Sequence, residues 1–337
     1  MASAELQAAP LDGRFEFAHL TDPHLTSLAA VPAPLTDKRL LGWLSWQRRR
    51  RFRHLPSILA GIVADIDAAG IRTRLLTGDL TQIGLPVEIE AARDWLRSLG
   101  DPDDVMLVPG NHDRYVADPR QHLAQTWSPW LRGDEAAISA PAPAPALTAD
   151  PAPAFPTLRC RGGVALIGLD SAVASPPLLA TGRLGAAQLA ALQTLLTRTG
   201  AAGYARIVLI HHAPLPGLDP WRKRLTDAAR LKRVLETAGA ELVLHGHGHQ
   251  GRIEQLPTPR GAIPIVQGSS ASSAATDPVH AAAWTHCVVT GDAQRFRVEI
   301  TRRAPSRQGR PPASATHVFE LPRGSGAAPE SVVRSAS

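Results

Sequence analysis

Five short polar blocks occur in one order along this chain, each behind an apolar run. They are Asp22-Pro23-His24, Gly78-Asp79, Gly110-Asn111-His112-Asp113, His211-His212 and Gly246-His247-Gly248-His249. The runs before them are FEFAHL, RLLT, VMLVP, RIVLI and ELVLH, which read as buried strands. Carboxylate and imidazole are donors that hard and borderline divalent ions take. Open α/β sheets place their ligand sites at strand ends. Donors recurring at the ends of successive strands therefore imply a centre for two metal ions. Taken alone, each block is ordinary turn chemistry; the implication rests on the five together.

Between the blocks the pattern alternates strand and helix. Residues 55–69 carry apolar positions at helical spacing and stop at Gly70. A strand over 73–77 follows, then a helix opened by Pro86 and closed by Gly100, then a strand over 105–108. Such β–α–β units predict largely parallel strands. A hairpin is expected around Gly162-Gly163, helices over 185–199 and 226–238, and strands over 206–210 and 241–245. Segments 262–267, 284–289 and 295–301 read as antiparallel strands, and 317–321 as a final strand. Residues 1–13 read as a loose leader, and the Pro/Ala-rich stretch 136–156 as an extended loop. The expected organisation is a catalytic domain over 14–303, interrupted by a basic insertion at 38–54 and by that loop. A mostly disordered extension is expected over 304–337.

The chain of 337 residues suffices for one large domain with insertions or two small ones. It has no run of 18 apolar residues, so no spanning helix is expected, and its first residues lack the pattern of a secretory signal. Cys160 and Cys287 read as two reduced, buried thiols, which suits the cytoplasm. The net charge of +6 rests almost entirely on arginine; lysine occurs only at 38, 223 and 232. A mild positive balance suits an anionic substrate and does not by itself argue for nucleic acid.

Hydrolysis of a phosphate ester needs a water made nucleophilic, a phosphate made receptive and a leaving oxygen neutralised. Two divalent ions about 3.5–4 Å apart can serve the first two needs through a bridging hydroxide that attacks in line. The five blocks resemble the calcineurin-like metallophosphoesterase family, whose pattern is D-x-H, GD, GNH[DE], H and GHxH; all five stand here unsubstituted over residues 22–249. The resemblance implies an α/β (α+β) four-layer sandwich, two mixed β-sheets flanked by helices, with the metals between the strand ends. It implies that Asp22, His24 and His249 ligate one metal and Asn111, His211 and His247 the other, with Asp79 bridging. His112 would sit over the phosphate and protonate the leaving oxygen, and Asp113 would hold the His112 ring. Alternation at a strand end points the neighbouring His212 and His245 elsewhere, so they read as structural residues or as supports behind the ligands, not as ligands. The metals would be manganese, iron or zinc.

Within the family, GDLTQIGLPVEIEAARDWL and IHHAP resemble the bacterial cyclic-nucleotide phosphodiesterase branch. That resemblance implies a phosphodiesterase acting on cyclic nucleotides or related small phosphodiesters. The departure is the insertion KRLLGWLSWQRRRRFRH at 38–54, with seven Lys/Arg and no acid. One reading is a Trp-bearing basic flap that rests on an anionic membrane. The chain would then be a lipid phosphoesterase or pyrophosphatase working at the inner membrane face. The other reading is a helix that buries its Trp/Leu side on the body and solvates its arginines. A small phosphoester is the expected partner, and nucleic acid is not.

Overall fold

The structure, a computed structural model, describes residues 11, 13–25, 27–29, 37–117, 119–134, 155–304 and 315–323. Two six-stranded sheets carry the fold. With strands numbered in chain order, the first sheet contains β1 (Gly13–Leu20), β2 (Arg74–Leu76), β3 (Val105–Leu107), β10 (Trp284–Gly291), β11 (Arg295–Arg303) and β12 (Thr316–Pro322). Its order is β12-β11-β10-β1-β2-β3. The second contains β4 (Thr157–Arg161), β5 (Val164–Gly168), β6 (Ala205–Leu209), β7 (Leu242–His245), β8 (Arg252–Thr258) and β9 (Gly261–Gln267), in the order β4-β5-β6-β7-β9-β8. Both sheets are mixed. Strands joined through helices pair in parallel, as β1 with β2 and β5 with β6, while hairpin partners such as β4 and β5 pair antiparallel.

Side-chain alternation along the strands makes the layers. Phe17, Leu75, Ile207 and Leu209 face inward and form one core between the sheets. Their neighbours Ala18 and Leu76 face outward, against Leu59, Ile62 and Ile66 of α2 (Pro56–Ala68) and Ile89 and Leu96 of α3 (Pro86–Ser98). Val208 and Val243 face the opposite way, against Leu192 and Leu196 of α6 (Ala186–Ala201) and Leu231 and Leu235 of α7 (Ala228–Ala238). The result is the helix–sheet–sheet–helix sandwich that the family pattern implied.

Two strands differ from the sequence reading, and the helices Pro119–Thr126 and Ser128–Leu131 are absent from it. β9 is antiparallel only to β8 and runs parallel to β7 on its other side. β8 itself escapes the hydrophobic pattern, because the edge strand RIEQLPT buries only Leu256 fully and tolerates Pro257. The strand at 316–322 is present as the outer edge of the first sheet. Leu11, buried in the core between the sheets, and Gly13, the first residue of β1, depart from the loose leader expected over 1–13; its other residues, most of the Pro/Ala loop and residues 305–314 and 324–337 lie outside the described residues. Both cysteines are free, on different sheets; Cys287 is buried as expected, whereas Cys160 on edge strand β4 is only partly so. Among the described residues no helix is long and apolar enough to cross a membrane.

One buried ion pair joins β6 to the entry of β7. The Arg206 backbone N and Nε donate to Glu241 Oε2 at 2.6 and 3.0 Å, and its NH2 donates to Oε1 at 2.6 Å. Both side chains are 6% exposed. Removing one partner strands the other charge in the protein. Glu241→Ala should therefore lower unfolding free energy by about 3–5 kcal/mol in a urea titration. A loss within experimental error would show that water reaches Arg206.

Candidate dinuclear metal site

The chain leaves β1, β2 and β7 through backbone that L residues rarely adopt. Among the described residues, six non-glycine positions have left-handed φ: Asp22 (51°), His24 (43°), Asp79 (59°), Leu178 (67°), His247 (66°) and His249 (55°). Five of these belong to the polar blocks. Each such residue costs about 1–3 kcal/mol and persists only where the surroundings enforce it.

The enforcing contacts run between loops. Asp22 N donates to the Gly78 carbonyl at 3.0 Å and His24 N to the Asp79 carbonyl at 3.1 Å, which sets the β1 loop on the β2 loop. The Asp113 carboxylate accepts from the backbone N–H of Asp79, Gly110 and Thr81 at 2.8, 2.8 and 2.9 Å, which sets the β3 loop on the β2 loop. Gly78, at φ +83°, lies so close to Gly110 that a Cβ there would stand 2.4 Å from the Gly110 nitrogen. His247 N donates to Asp22 Oδ2 at 3.0 Å and brings in the loop after β7.

Two donor clusters result, and Asp79 is in both. Asp22, His24 and Asp79 place ligand atoms within 4.8 Å of one another, as do Asp79, His211 and His247. His249 Nε2 lies 3.0 Å from Asp22 Oδ1, and Asn111 Oδ1 lies 3.1 Å from His211 Nε2. All seven residues that the family pattern marks as ligands are thus gathered in one place. Backbone carbonyls orient the rings: Thr81 O lies 3.0 Å from His24 Nδ1 and Thr77 O lies 2.6 Å from His211 Nδ1. With Nδ1 donating there, each Nε2 presents a lone pair.

The electrostatics suit cations. Burial opposes the charged form of Asp79, but the His211 and His112 imidazoles outweigh it and hold the carboxyl well below its usual range. Burial also works against an imidazolium at His211, yet Asp79 raises that ring to about 10. Burial pushes His24 and His247 well down and His112 to about 4. Neutral imidazoles at His24, His247 and His112 therefore stand around ionised carboxylates, while Asp79 keeps a proton on His211 that a cation would displace. His247 Nε2 is buried and makes no hydrogen bond, and Asp22 Oδ1 is buried with only the His249 ring nitrogen facing it at 3.0 Å. Such groups are costly in a protein interior, and a bound cation removes the cost. The donor set fits a divalent pair.

Some roles differ from expectation. Asp113 does not hold the His112 ring; all its acceptor capacity goes to the β2 and β3 loops and to Thr81 Oγ1. The ring is held instead by Nδ1 donating to the Gln82 carbonyl at 2.5 Å, a carbonyl that also accepts from an Arg50 guanidinium nitrogen at 3.0 Å. His212 is tied to Ser171 Oγ at 2.8 Å and, like His245, joins none of the donor clusters. Arg50 and His54 reach the site from the insertion, where nothing in the sequence separates them from their basic neighbours. There α1 (Arg39–Arg48) buries Trp46 with Leu28, Ile83 and Leu85, and the partly buried Trp43 packs on them. Leu41, Phe52 and Arg48, Arg49, Arg51 and Arg53 face solvent.

A Cβ at residue 110 would stand 2.2 Å from Asp79 Oδ1. Gly110→Ala should therefore lose bound metal, measured by elemental analysis. Gly61→Ala, in α2 with open space around it, should keep its metal and gain up to about 1 kcal/mol of stability. Wild-type metal content in Gly110→Ala would mean that Asp79 need not stand where it does.

Comparison with known proteins agrees with the geometry. The chain is similar in fold to a dimetal phosphatase from Danio rerio, at 13% identity and a TM-score of 0.56, over 94% of this chain and 100% of that one. It is similar also to the purple acid phosphatase PPD1 of yellow lupin, Lupinus luteus, at 13% identity and a TM-score of 0.52, over 91% of this chain and 54% of that one. A search of curated proteins found no match. The family model described as calcineurin-like phosphoesterase matches residues 15–251. The chain belongs to the calcineurin-like phosphoesterase family.

Proposed function

We propose that this protein is a two-metal phosphodiesterase acting on cyclic nucleotides or related small diesters. The observation that carries the reading is Asp79, the one carboxylate common to both donor clusters. Asp22, His24 and His249 would hold one ion, and Asn111, His211 and His247 the other, with Asp79 shared. A divalent pair, when bound, polarises a phosphoryl oxygen and lowers the pKa of water. Manganese, iron and zinc all accept this donor set.

The chain's own groups do the rest. Ionised Asp22 and Asp79 balance the cations, and the Nδ1 contacts of His24 and His211 keep their rings facing inward. With its Nδ1 given to Gln82, His112 has Nε2 for the proton that the leaving oxygen takes. An arriving phosphate anion favours the imidazolium that donates it. The preference for a diester rests on the blocks from Gly78 to Leu96 and from Ile210 to Pro214, which resemble the cyclic-nucleotide branch.

Hydrolysis of bis-p-nitrophenyl phosphate should exceed that of p-nitrophenyl phosphate when Mn²⁺ is supplied. Asp79→Ala should lose metal and turnover together. His112→Ala should keep its metal and lose about 10²–10⁴-fold in rate. Activity retained in Asp79→Ala would defeat the two-metal reading, and a monoester preference would defeat the substrate class alone.

A second reading, a lipid phosphoesterase at an anionic membrane, is favoured by one feature of the insertion. Leu41 is 48% and Phe52 60% exposed, beside four exposed arginines. If it holds, the protein sediments with phosphatidylglycerol vesicles, and changing Arg48, Arg49, Arg51 and Arg53 to Gln abolishes that. Equal sedimentation with neutral and anionic vesicles counts against it.

A further inference from the structure

His54 belongs to the inserted segment, not to the family's five blocks, yet it stands in the same cluster of donors. A ring nitrogen of His54 lies within 4.8 Å of ring nitrogens of both His24 and His249. The His54 and His24 ring centroids are 4.3 Å apart, and those of His54 and His249 are 5.5 Å apart.

The placement is built rather than incidental. The loop over 270–274 holds the β1 loop on one side and the insertion on the other. Towards β1, Ser270 Oγ donates to the Asp22 carbonyl at 2.7 Å and Ala271 N donates to the Thr21 carbonyl at 2.9 Å. Towards the insertion, Leu55 N donates to the Ser272 carbonyl at 2.9 Å and Ala274 N to the Arg53 carbonyl at 2.8 Å. His54 itself forms a β-bridge with Ser273. One short loop thus fixes the distance between Asp22 and His54. The ring is also oriented: Ser272 Oγ lies 3.0 Å from its Nδ1, and Ser270 Oγ lies 3.3 Å away. With Nδ1 engaged, Nε2 is the nitrogen left for a ligand. Histidines that bind metals are commonly oriented in this way, by a polar group on the ring nitrogen opposite the metal.

We infer that His54 is an additional imidazole ligand of the metal held by Asp22, His24 and His249, supplied by the insertion. The inference rests on the two-metal reading above. It gives that metal position a third imidazole, and so a more nitrogen-rich set than its partner, which has two imidazoles and the Asn111 amide. Imidazole-rich sets suit zinc, iron, cobalt and nickel more than magnesium or manganese. The insertion then determines which metal the first position prefers, and the exposed arginines are not what it contributes to the centre.

The test uses the full chain, stripped of metal by chelation and titrated with Co²⁺, whose visible bands report coordination. Wild type should take two equivalents, and Asp79→Ala should lose both. His54→Ala and His54→Gln should keep one equivalent at wild-type affinity. The other should weaken by at least about 10-fold, with altered visible bands. Thermal melts of the metal-free proteins check folding. If both His54 variants bind two equivalents with wild-type affinity and spectrum while Asp79→Ala does not, His54 is no ligand and the two-metal reading stands. If wild type itself takes fewer than two equivalents, that reading fails and carries this one with it. Loss of both equivalents together with a lower metal-free melting temperature in both His54 variants would make the residue structural and overturn the inference.

Discussion

The Asp113 carboxylate is the contact on which the centre depends. It collects backbone N–H groups from Asp79, Thr81 and Gly110, and so fuses the turns after β2 and β3 into one unit. A carboxylate accepting several backbone donors is among the stronger interactions a buried group can make. Here it stabilises a turn in which Asp79 has a φ of 59°. The Asp79 side chain then accepts the His112 amide at 2.7 Å and faces His211 at 3.3 Å. Without that fusion, the shared carboxylate would have no reason to occupy a strained corner between the two donor clusters.

The same economy recurs around the cleft. Strained corners at Asp22, His24 and His247 are held by amide contacts to neighbouring loops, not by their own strands. The two sheets supply the rigid part. Their facing cores, from Phe17 and Leu75 on one side to Ile207 and Leu244 on the other, fix where the strand ends lie. The loops then need only short reach. This division of labour lets buried charges stand together, because the scaffold bears the desolvation and strain that a cation offsets once bound.

The insertion shows how one segment can divide its residues between different tasks. Trp46 and Gly42 seat α1 on the body, where a Cβ at residue 42 would meet Ile83 at 2.6 Å. Arg50 turns inward, donating to the Gln82 and Gly42 carbonyls at 3.0 and 2.6 Å while facing His112. Arg39 donates to the Gly84 carbonyl at 3.2 Å, and Arg48, Arg49, Arg51 and Arg53 go to solvent. The segment therefore packs a helix on the body and keeps a basic outer face as well. A run of four arginines looks uniform in sequence, but packing against a curved surface gives each position its own environment.

Much of the centre was legible in the sequence because donor chemistry is local. Asp22-x-His24, Gly78-Asp79, Gly110-Asn111-His112-Asp113 and Gly246-His247-Gly248-His249 carry their ligand atoms and their turn residues within a few positions. Hydrophobic period likewise marked α2, α3, α6, α7 and the central strands, though not the polar edge strand β8 or the short helices Pro119–Thr126 and Ser128–Leu131. What tertiary structure alone decided are the contacts between distant segments. Asp113 serves the β2 loop rather than the neighbouring imidazole, and His54 meets Ser272 across 218 positions of chain. Such pairings depend on which loops the two sheets bring together, and no local pattern of residue types encodes that distance.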